Sequence, residues 1–481
     1  MEHSKKDYLL LDKKYSWHPL FQHSLLETQE LMLITEAHGT TVVDSEGNEY
    51  LDAFSGLWNV NIGYSRHEVA QAVYEQMKQL SYYPQTQVTI PPVLLAEQLI
   101  SLLKSSPSSK SENDLNRVVF VNSGSEANET ALKMVRQYGL QKYQGQNRYK
   151  VISLYRGYHG FTYGAISASG QTPRRRKFEP LLPGFCHVHP PYCYRCAYSL
   201  SYPECDIACA NVIERTIQAE GTDTVIAVMV EPIIGGGGVI VPPDEYLPKL
   251  RDICDRYEIL LILDEVITGF GRTGTLFAHQ RCSLRSPTPS AYGSLRSPTP
   301  SAYGNVQPDI ITLAKGISSG YLPLGACVAK EHIFEAFTGK PEDRLEFAQV
   351  STYGGHPVCC AAGLANLKIM LEEKMCENAE QVGNYLMSQL KELIRLPIVG
   401  DIRGKGLIIA IELVEGDKVP LSTAKTKRVQ QLMKEHGILV GRVSYAADGD
   451  ENILYLAPPL ILTKAEADKI VAALNDSLDR V

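Results

Sequence analysis

Five apolar runs in this 481-residue chain are each followed by residues that can do chemistry. RVVFV at 117–121 leads into Asn122-Ser123-Gly124-Ser125-Glu126, a small-residue turn that opens a helical stretch. YKVISLY at 149–155 precedes Tyr158-His159-Gly160, and VIAVMV at Val225–Val230 precedes Glu231-Pro232. ILLIL at 259–263 is followed by Asp264-Glu265-Val266, and IITL at Ile310–Leu313 by Ala314-Lys315-Gly316. Singly, each has a plain structural reading. A Ser/Gly turn caps a helix, a lone acid after a strand caps the next one, and a lone lysine there is solvated. Together they supply an anion site at a helix start, an amine, two acids and an aromatic beside a histidine. Pyridoxal phosphate requires that set: a phosphate site, a lysine for a Schiff base, an acid at the pyridine nitrogen and a ring clamp.

Something must bring these groups together. The runs are continuously apolar rather than alternating, which fits strands covered on both faces of a parallel sheet. Helical patterns separate them. Residues 67–80 carry Val69, Val73, Met77 and Leu80 at helical spacing, and 243–257 carry Leu247, Leu250, Ile253 and Cys254. Strands alternating with helices predict a large doubly wound α/β domain, and such sheets bind ligands at the carboxyl edge. The chain ends read differently. Residues 41–51 form a hairpin pattern around Gly47-Asn48, 406–413 read as a strand of an α+β part, and Thr463 with Glu466 forms a capping box before the last helix. The expected division is a small-domain segment at 1–65, a large cofactor-binding domain at 66–344 and the rest of the small domain at 345–481.

At this point the chain resembles the class III (ω-) aminotransferases, fold-type I pyridoxal-phosphate enzymes. The matching stretches are NSGSEANETALK at 122–133, YHG at 158–160, EPIIGGGG at 231–238, LDEVITGFGRTG at 263–274 and LAKGISSGYLPLGA at 313–326. STYGGHP at 351–357 and GKGLIIAIEL at 404–413 extend the likeness over nearly the whole chain. The resemblance implies that Lys315 is the Schiff-base lysine and that Asp264 keeps the pyridine nitrogen protonated. Val266 and Tyr158 would sandwich the ring, Gly124 and Ser125 would bind the phosphate, and Glu231 would orient the site. Thr352 would reach the phosphate of a neighbouring subunit, so a homodimer or homotetramer is implied. SGLWNV at 55–60 looks like the subgroup that passes the amino group of an amine or ω-amino acid to pyruvate. Trp58 resembles the aromatic wall of its substrate pocket, Tyr82 and Tyr83 its partner-subunit aromatics there, and Arg442 its mobile carboxylate-binding arginine. Taurine–pyruvate or diaminopelargonate-type transfer is the nearest alternative. An aminomutase or a decarboxylase would use the same fold.

Composition narrows the partners. Hydrophobic residues make up 44% and the net charge is −7, which argues against nucleic acid or an anionic membrane surface. No stretch approaches 18 apolar residues, and 11 cysteines, an odd number, speak for a reducing cytoplasm. The expected partners are a small amino donor and a keto acid. GFGRTG at 269–274 spells a dinucleotide-type glycine pattern, yet it starts five residues after Asp264 rather than at the strand end. His187, His189, Cys193, Cys196, Cys205 and Cys209 lie close in sequence, but the interleaved tyrosines favour a packed loop over a metal site. RRRK at 174–177 reads as a solvated helix start. SLRSPTPSAYG occurs twice in tandem at 283–304, a Ser/Pro-rich loop insertion.

Overall fold

The computed structural model describes residues 4–104, 114–283, 306–444 and 451–481. Apart from its first residue, the duplicated insertion lies outside the described residues.

Seven strands build the central sheet: β1 Leu115–Val121, β2 Lys150–Leu154, β3 Phe185–Val188, β4 Val225–Val230, β5 Leu260–Asp264, β6 Ile310–Leu313 and β7 Gly325–Lys330. Their order is β1-β7-β6-β5-β4-β2-β3. β7 runs antiparallel to both β1 and β6, while all other neighbours pair in parallel. Six strands therefore end on one edge, and all five chemistry-bearing segments emerge there. β7 carries no such segment and was not among the strands read from the sequence.

The apolar runs are continuous because both faces are covered. Ala227 and Met229 of β4 pack with Leu132, Val135 and Tyr138 of the helix Gly124–Lys142. Val228 and Val230 pack on the other side with Ile213 and Ile217 of Ala208–Glu220 and Leu250 of Tyr246–Arg256. Two helices depart from the sequence reading. Tyr246–Arg256 starts three residues late, because Pro242-Pro243 supply no backbone N–H and a turn from Tyr246 N to Pro243 O comes first. In His67–Gln79, Val69 is fully buried and Val73 packs against the same core, but Met77 is 56% exposed, so the apolar stripe is not used along its whole length.

Both chain ends fold together. The meander Ile34–His38, Thr41–Asp44 and Glu49–Asp52 takes up Ile438–Leu439 as a parallel fourth strand. A second antiparallel sheet joins Val399–Lys405, Ile408–Leu413, Ile453–Leu456 and Gly441–Arg442. The last helix, Lys464–Asp479, has the expected Thr463–Glu466 capping box. No helix among the described residues is long and apolar enough to cross a membrane.

Candidate active site

The turn after β1 becomes the N-terminus of a 19-residue helix. The Ser123 side chain accepts from Glu126 N, while the N–H groups of Gly124 and Ser125 precede any intrahelical acceptor. A Cβ on Gly124 would meet Val266 Cγ1 at 2.8 Å, so only glycine lets this turn lie against the valine. A Cβ on Gly160 would collide with Ser125 Oγ, which accepts from Phe161 N at 3.2 Å. The turn after β1 and the turn after β2 thus share one wall of the cleft with Val266.

Asp264, at the end of β5, is buried and held on both oxygens. Oδ2 accepts from His159 Nδ1 at 2.8 Å and from Asn128 Nδ2 at 2.8 Å, and Oδ1 accepts from Val266 N at 3.0 Å. Asn128 also donates to the His159 carbonyl at 2.7 Å, and Thr312 of β6 donates to Asn128 Oδ1 at 2.6 Å. Burial works against charge on His159, yet the hydrogen bond and charge of Asp264 leave its pKa raised. Glu231 accepts from the N–H of Tyr158 at 2.9 Å and of Gly235 at 2.9 Å. Burial pushes its carboxyl up to about 7 against the pull of His159.

Lys315 follows β6 in the left-handed backbone region, with φ +44°. Such a conformation in a non-glycine residue stores strain of order 1 kcal/mol and recurs where a side chain must be aimed. Burial lowers the lysine pKa, partly opposed by the charges of Asp264 and Glu231. A lowered pKa is what an amine needs to act as nucleophile and proton carrier near neutral pH.

The other wall comes from the chain ends. Trp58 stacks on Tyr455, with ring centroids 4.2 Å apart and planes 16° from parallel. Asn61, three residues on, packs so tightly on Gly316 that a Cβ there would lie 2.5 Å from Asn61 Nδ2. Arg174 lies with its guanidinium 5.0 Å from the Tyr158 ring centroid and 5.8 Å from that of Phe161.

Four residues singled out in the sequence lie away from Lys315 within the chain or face elsewhere. Arg442 pairs across the strands with Leu454, while its neighbour Gly441 faces Tyr455, so strand alternation turns Arg442 away from the Trp58–Tyr455 face. Its guanidinium is bonded to Glu451 and lies 3.4 Å from Gln430 Oε1. Tyr82 donates to the Thr352 carbonyl at 2.8 Å. Tyr83 is half exposed and Thr352 is exposed. Their loop is tied to the helix start instead, through Asn122 Nδ2 to Ser351 Oγ at 2.8 Å and Ser351 Oγ to Glu126 at 3.1 Å.

The sequence profile of class-III aminotransferases matches residues 24–287 and 299–478. This chain belongs to the class-III aminotransferases. It is a pyridoxal-phosphate-dependent transaminase by family. It is 43% identical over 474 residues to the uncharacterized aminotransferase YhxA of Bacillus subtilis, covering 98% of this chain and 96% of that one. It is 38% identical to the taurine–pyruvate aminotransferase of Bilophila wadsworthia, over 100% of this chain and 99% of that one. An amine transaminase from an uncultivated Pseudomonas species, solved with pyridoxal phosphate bound, superposes with a TM-score of 0.86 at 35% identity, covering 97% and 98% of the two chains.

The aminotransferase site also contains groups the sequence reading passed over. His159 stands inside a quoted motif, and its pairing to Asp264 needed the β2 and β5 ends to be neighbours of one edge. Arg174 was discounted as part of a basic run, and only the fold puts it over Tyr158. Tyr455 gave no signal in sequence beyond an apolar strand. The Cys/His stretch forms a packed loop in which Cys193, Cys196, Cys205 and Cys209 line one small cavity. Among the described residues no group of three or more His, Cys, Asp or Glu is arranged to hold a metal ion.

Proposed function

We propose that this aminotransferase moves an amino group from an ω-amino acid or amine to pyruvate, with a taurine-like donor as the nearest alternative. The position of Arg174 carries the donor reading. A cation over the Tyr158 ring, whose charge also acts on Tyr455 in the Trp58–Tyr455 stack, suits a donor whose far end is an anion. The likeness to a taurine–pyruvate enzyme supports the same class.

The groups present fit pyridoxal phosphate. The start of the helix Gly124–Lys142 offers N–H groups at Gly124 and Ser125 to a phosphate, and Val266, proposed with Tyr158 as the ring clamp, lies directly against Gly124. When bound, the cofactor supplies an electron sink for a carbanion beside the transferred nitrogen. Asp264, fixed by His159, Asn128 and Val266 N–H, is the carboxylate for a protonated pyridine nitrogen. Glu231 holds the Tyr158 backbone and so aims the clamp. Lys315 would hold the cofactor through Nζ, and its free amine would move a proton at the substrate carbon. Its low-pKa neutral form accepts that proton.

The domain limits at 1–65, 66–344 and 345–481, a homodimer or homotetramer in which Thr352 serves the neighbour's phosphate, and a cytoplasmic location belong to the same proposal. The exposed loop with Val350 (82%) and Tyr353 (61%) beside Thr352 supports a covered surface there. The deciding experiment is a donor panel on the purified holoenzyme. Taurine, β-alanine, γ-aminobutyrate, putrescine and an arylalkylamine are each tried with pyruvate and with 2-oxoglutarate. Alanine formation with at least one ω-amino acid is expected. Carbon dioxide release, or an isomerised product without a keto acid, would overturn the transaminase reading in favour of a decarboxylase or aminomutase.

A further inference from the structure

We infer that Tyr455 is a positioning residue for donor selectivity: it fixes the plane of Trp58, and the pair acts as one rigid wall of the donor cleft. The inference rests on the donor reading above and extends it to a residue outside the sequence-derived set.

Four observations carry it. First, the rings are parallel within 16° at 4.2 Å, which makes one continuous aromatic slab. Second, the Trp58 indole N–H is buried and has no acceptor among the described residues, so no side-chain hydrogen bond orients the ring. The Tyr455 stack does. Third, the backbone beneath Trp58 is strained. Ser55, Leu57 and Trp58 have φ of +51°, +106° and +56°, all in the region that favours glycine. That turn is pinned from several sides. Asp52 accepts from Phe54 N at 3.1 Å and Gly56 N at 2.8 Å. Ser55 Oγ donates to Ala457 O at 2.5 Å, two residues from Tyr455. Arg272, fully buried, donates to Asn61 Oδ1 at 2.7 Å. Fourth, Tyr455 has space only because its cross-strand partner is Gly441, where a Cβ would fall inside the Tyr455 ring. Gly441 is not in a left-handed conformation, so clearance for the ring is its evident use.

A strained turn held at its base and a ring held flat from below give a wall that does not yield to substrate bulk. Asn61, three residues after Trp58 in the same segment, abuts Gly316, next to Lys315. Tyr455 also lies within reach of the charge of Arg174. Removing the Tyr455 ring leaves Trp58 free to rotate into the space vacated. Small donors lose a positioning surface, and bulky donors gain room.

Steady-state kinetics and fluorescence test this in the holoenzyme. Tyr455→Ala should raise KM for β-alanine or taurine while changing kcat little. It should shift the kcat/KM ratio between arylalkylamine and ω-amino acid by about tenfold toward the bulky donor, the usual reach of an apolar pocket change. Tyr455→Phe keeps the ring and should keep the wild-type ratio. Gly441→Ala leaves Tyr455 in the sequence but displaces its ring, and should shift the ratio in the same direction as Tyr455→Ala. The chain has two tryptophans, and Trp17 is 89% exposed, so a Trp17→Phe background isolates Trp58 emission. Acrylamide quenching of Trp58 should increase in Tyr455→Ala and stay at the wild-type level in Tyr455→Phe. An unchanged ratio, or unchanged quenching, in a folded Tyr455→Ala protein overturns the inference. A Tyr455→Ala chain that does not fold hands the decision to Gly441→Ala, where the same two unchanged readouts overturn it. A wild-type holoenzyme inert toward every donor would instead defeat the donor reading, and the quenching comparison would still decide the stack.

Discussion

His159 Nδ1 donates to Asp264 Oδ2 at 2.8 Å, and both side chains are almost wholly withdrawn from solvent. Asp264 ends β5 and His159 lies in the turn after β2, and these two strands are separated in the sheet by β4. The histidine fixes the carboxylate in place, and its own pKa is raised by the hydrogen bond and charge of Asp264 against the effect of burial. Asp264→Asn should therefore retain some cofactor but lose several orders of magnitude in turnover. A near-normal rate would mean that the pyridine nitrogen has another partner. His159→Asn should show a smaller loss, with the cofactor absorbance shifted in its pH dependence.

Lys315→Ala should abolish transamination in a folded chain, because no second lysine is matched to the reactive position. Circular dichroism establishes the fold. Borohydride treatment of the wild type followed by peptide mapping should find pyridoxal on Lys315, and its recovery on a different lysine would overturn the assignment.

Glu231 gives the apoenzyme a pH signature. Its folded pKa of about 7 lies above the ordinary 4.5, so the native state holds a proton that the unfolded chain has released. The stabilising contribution is full below about pH 4.5 and is lost as pH rises through 7. At 1.36 kcal/mol per pH unit the loss is roughly 3 kcal/mol. Glu231→Gln should flatten this part of the profile. Denaturant melts of the two apoenzymes between pH 5 and about 8 provide the comparison. Parallel slopes would show that the carboxyl is not the group responsible.

Arg174 and Arg442 offer opposite expectations. Truncating one partner of a partly buried charge-assisted pair amounts to about 2–4 kcal/mol, or roughly 30- to 1,000-fold in kcat/KM. Arg174→Ala should bring that loss for taurine and β-alanine and spare an arylalkylamine in its single-turnover half-reaction. Arg442→Ala should leave the selectivity alone and act on local stability through the loss of its Glu451 bond. A selective loss in Arg442→Ala alone would restore the arginine that the family pattern pointed to.

The loop around Thr352 predicts an assembly. Native mass measurement should give a dimer or tetramer. Thr352→Ala should weaken cofactor retention, seen as loss of bound pyridoxal phosphate on gel filtration. An active monomer would defeat both expectations.

The sequence by itself determined five of the seven central strands and the polar residues at their carboxyl ends, with Lys315 among them. Those features are local. A buried parallel strand must be apolar throughout, and the residues just past its end are the first that can be polar. Resemblance to a family then assigned Lys315, Asp264, Tyr158 and Val266 their roles, because the motifs around them are short and contiguous. Tertiary structure decided what depends on pairing between distant segments. The Arg442 position follows from register with β-strand Ile453–Leu456: one residue of alternation turns a side chain from cleft to helix, and sequence spacing across residues 445–450 does not fix that register. Tyr455 became legible only once Gly441 was its cross-strand partner and Trp58 its stacking neighbour, residues 14 and nearly 400 positions away. Arg174 looked like one of four solvated charges until the fold laid it over Tyr158. Chemistry is written in residue type at a strand end; selectivity is written in which distant side chains share a face, and that is fixed by packing.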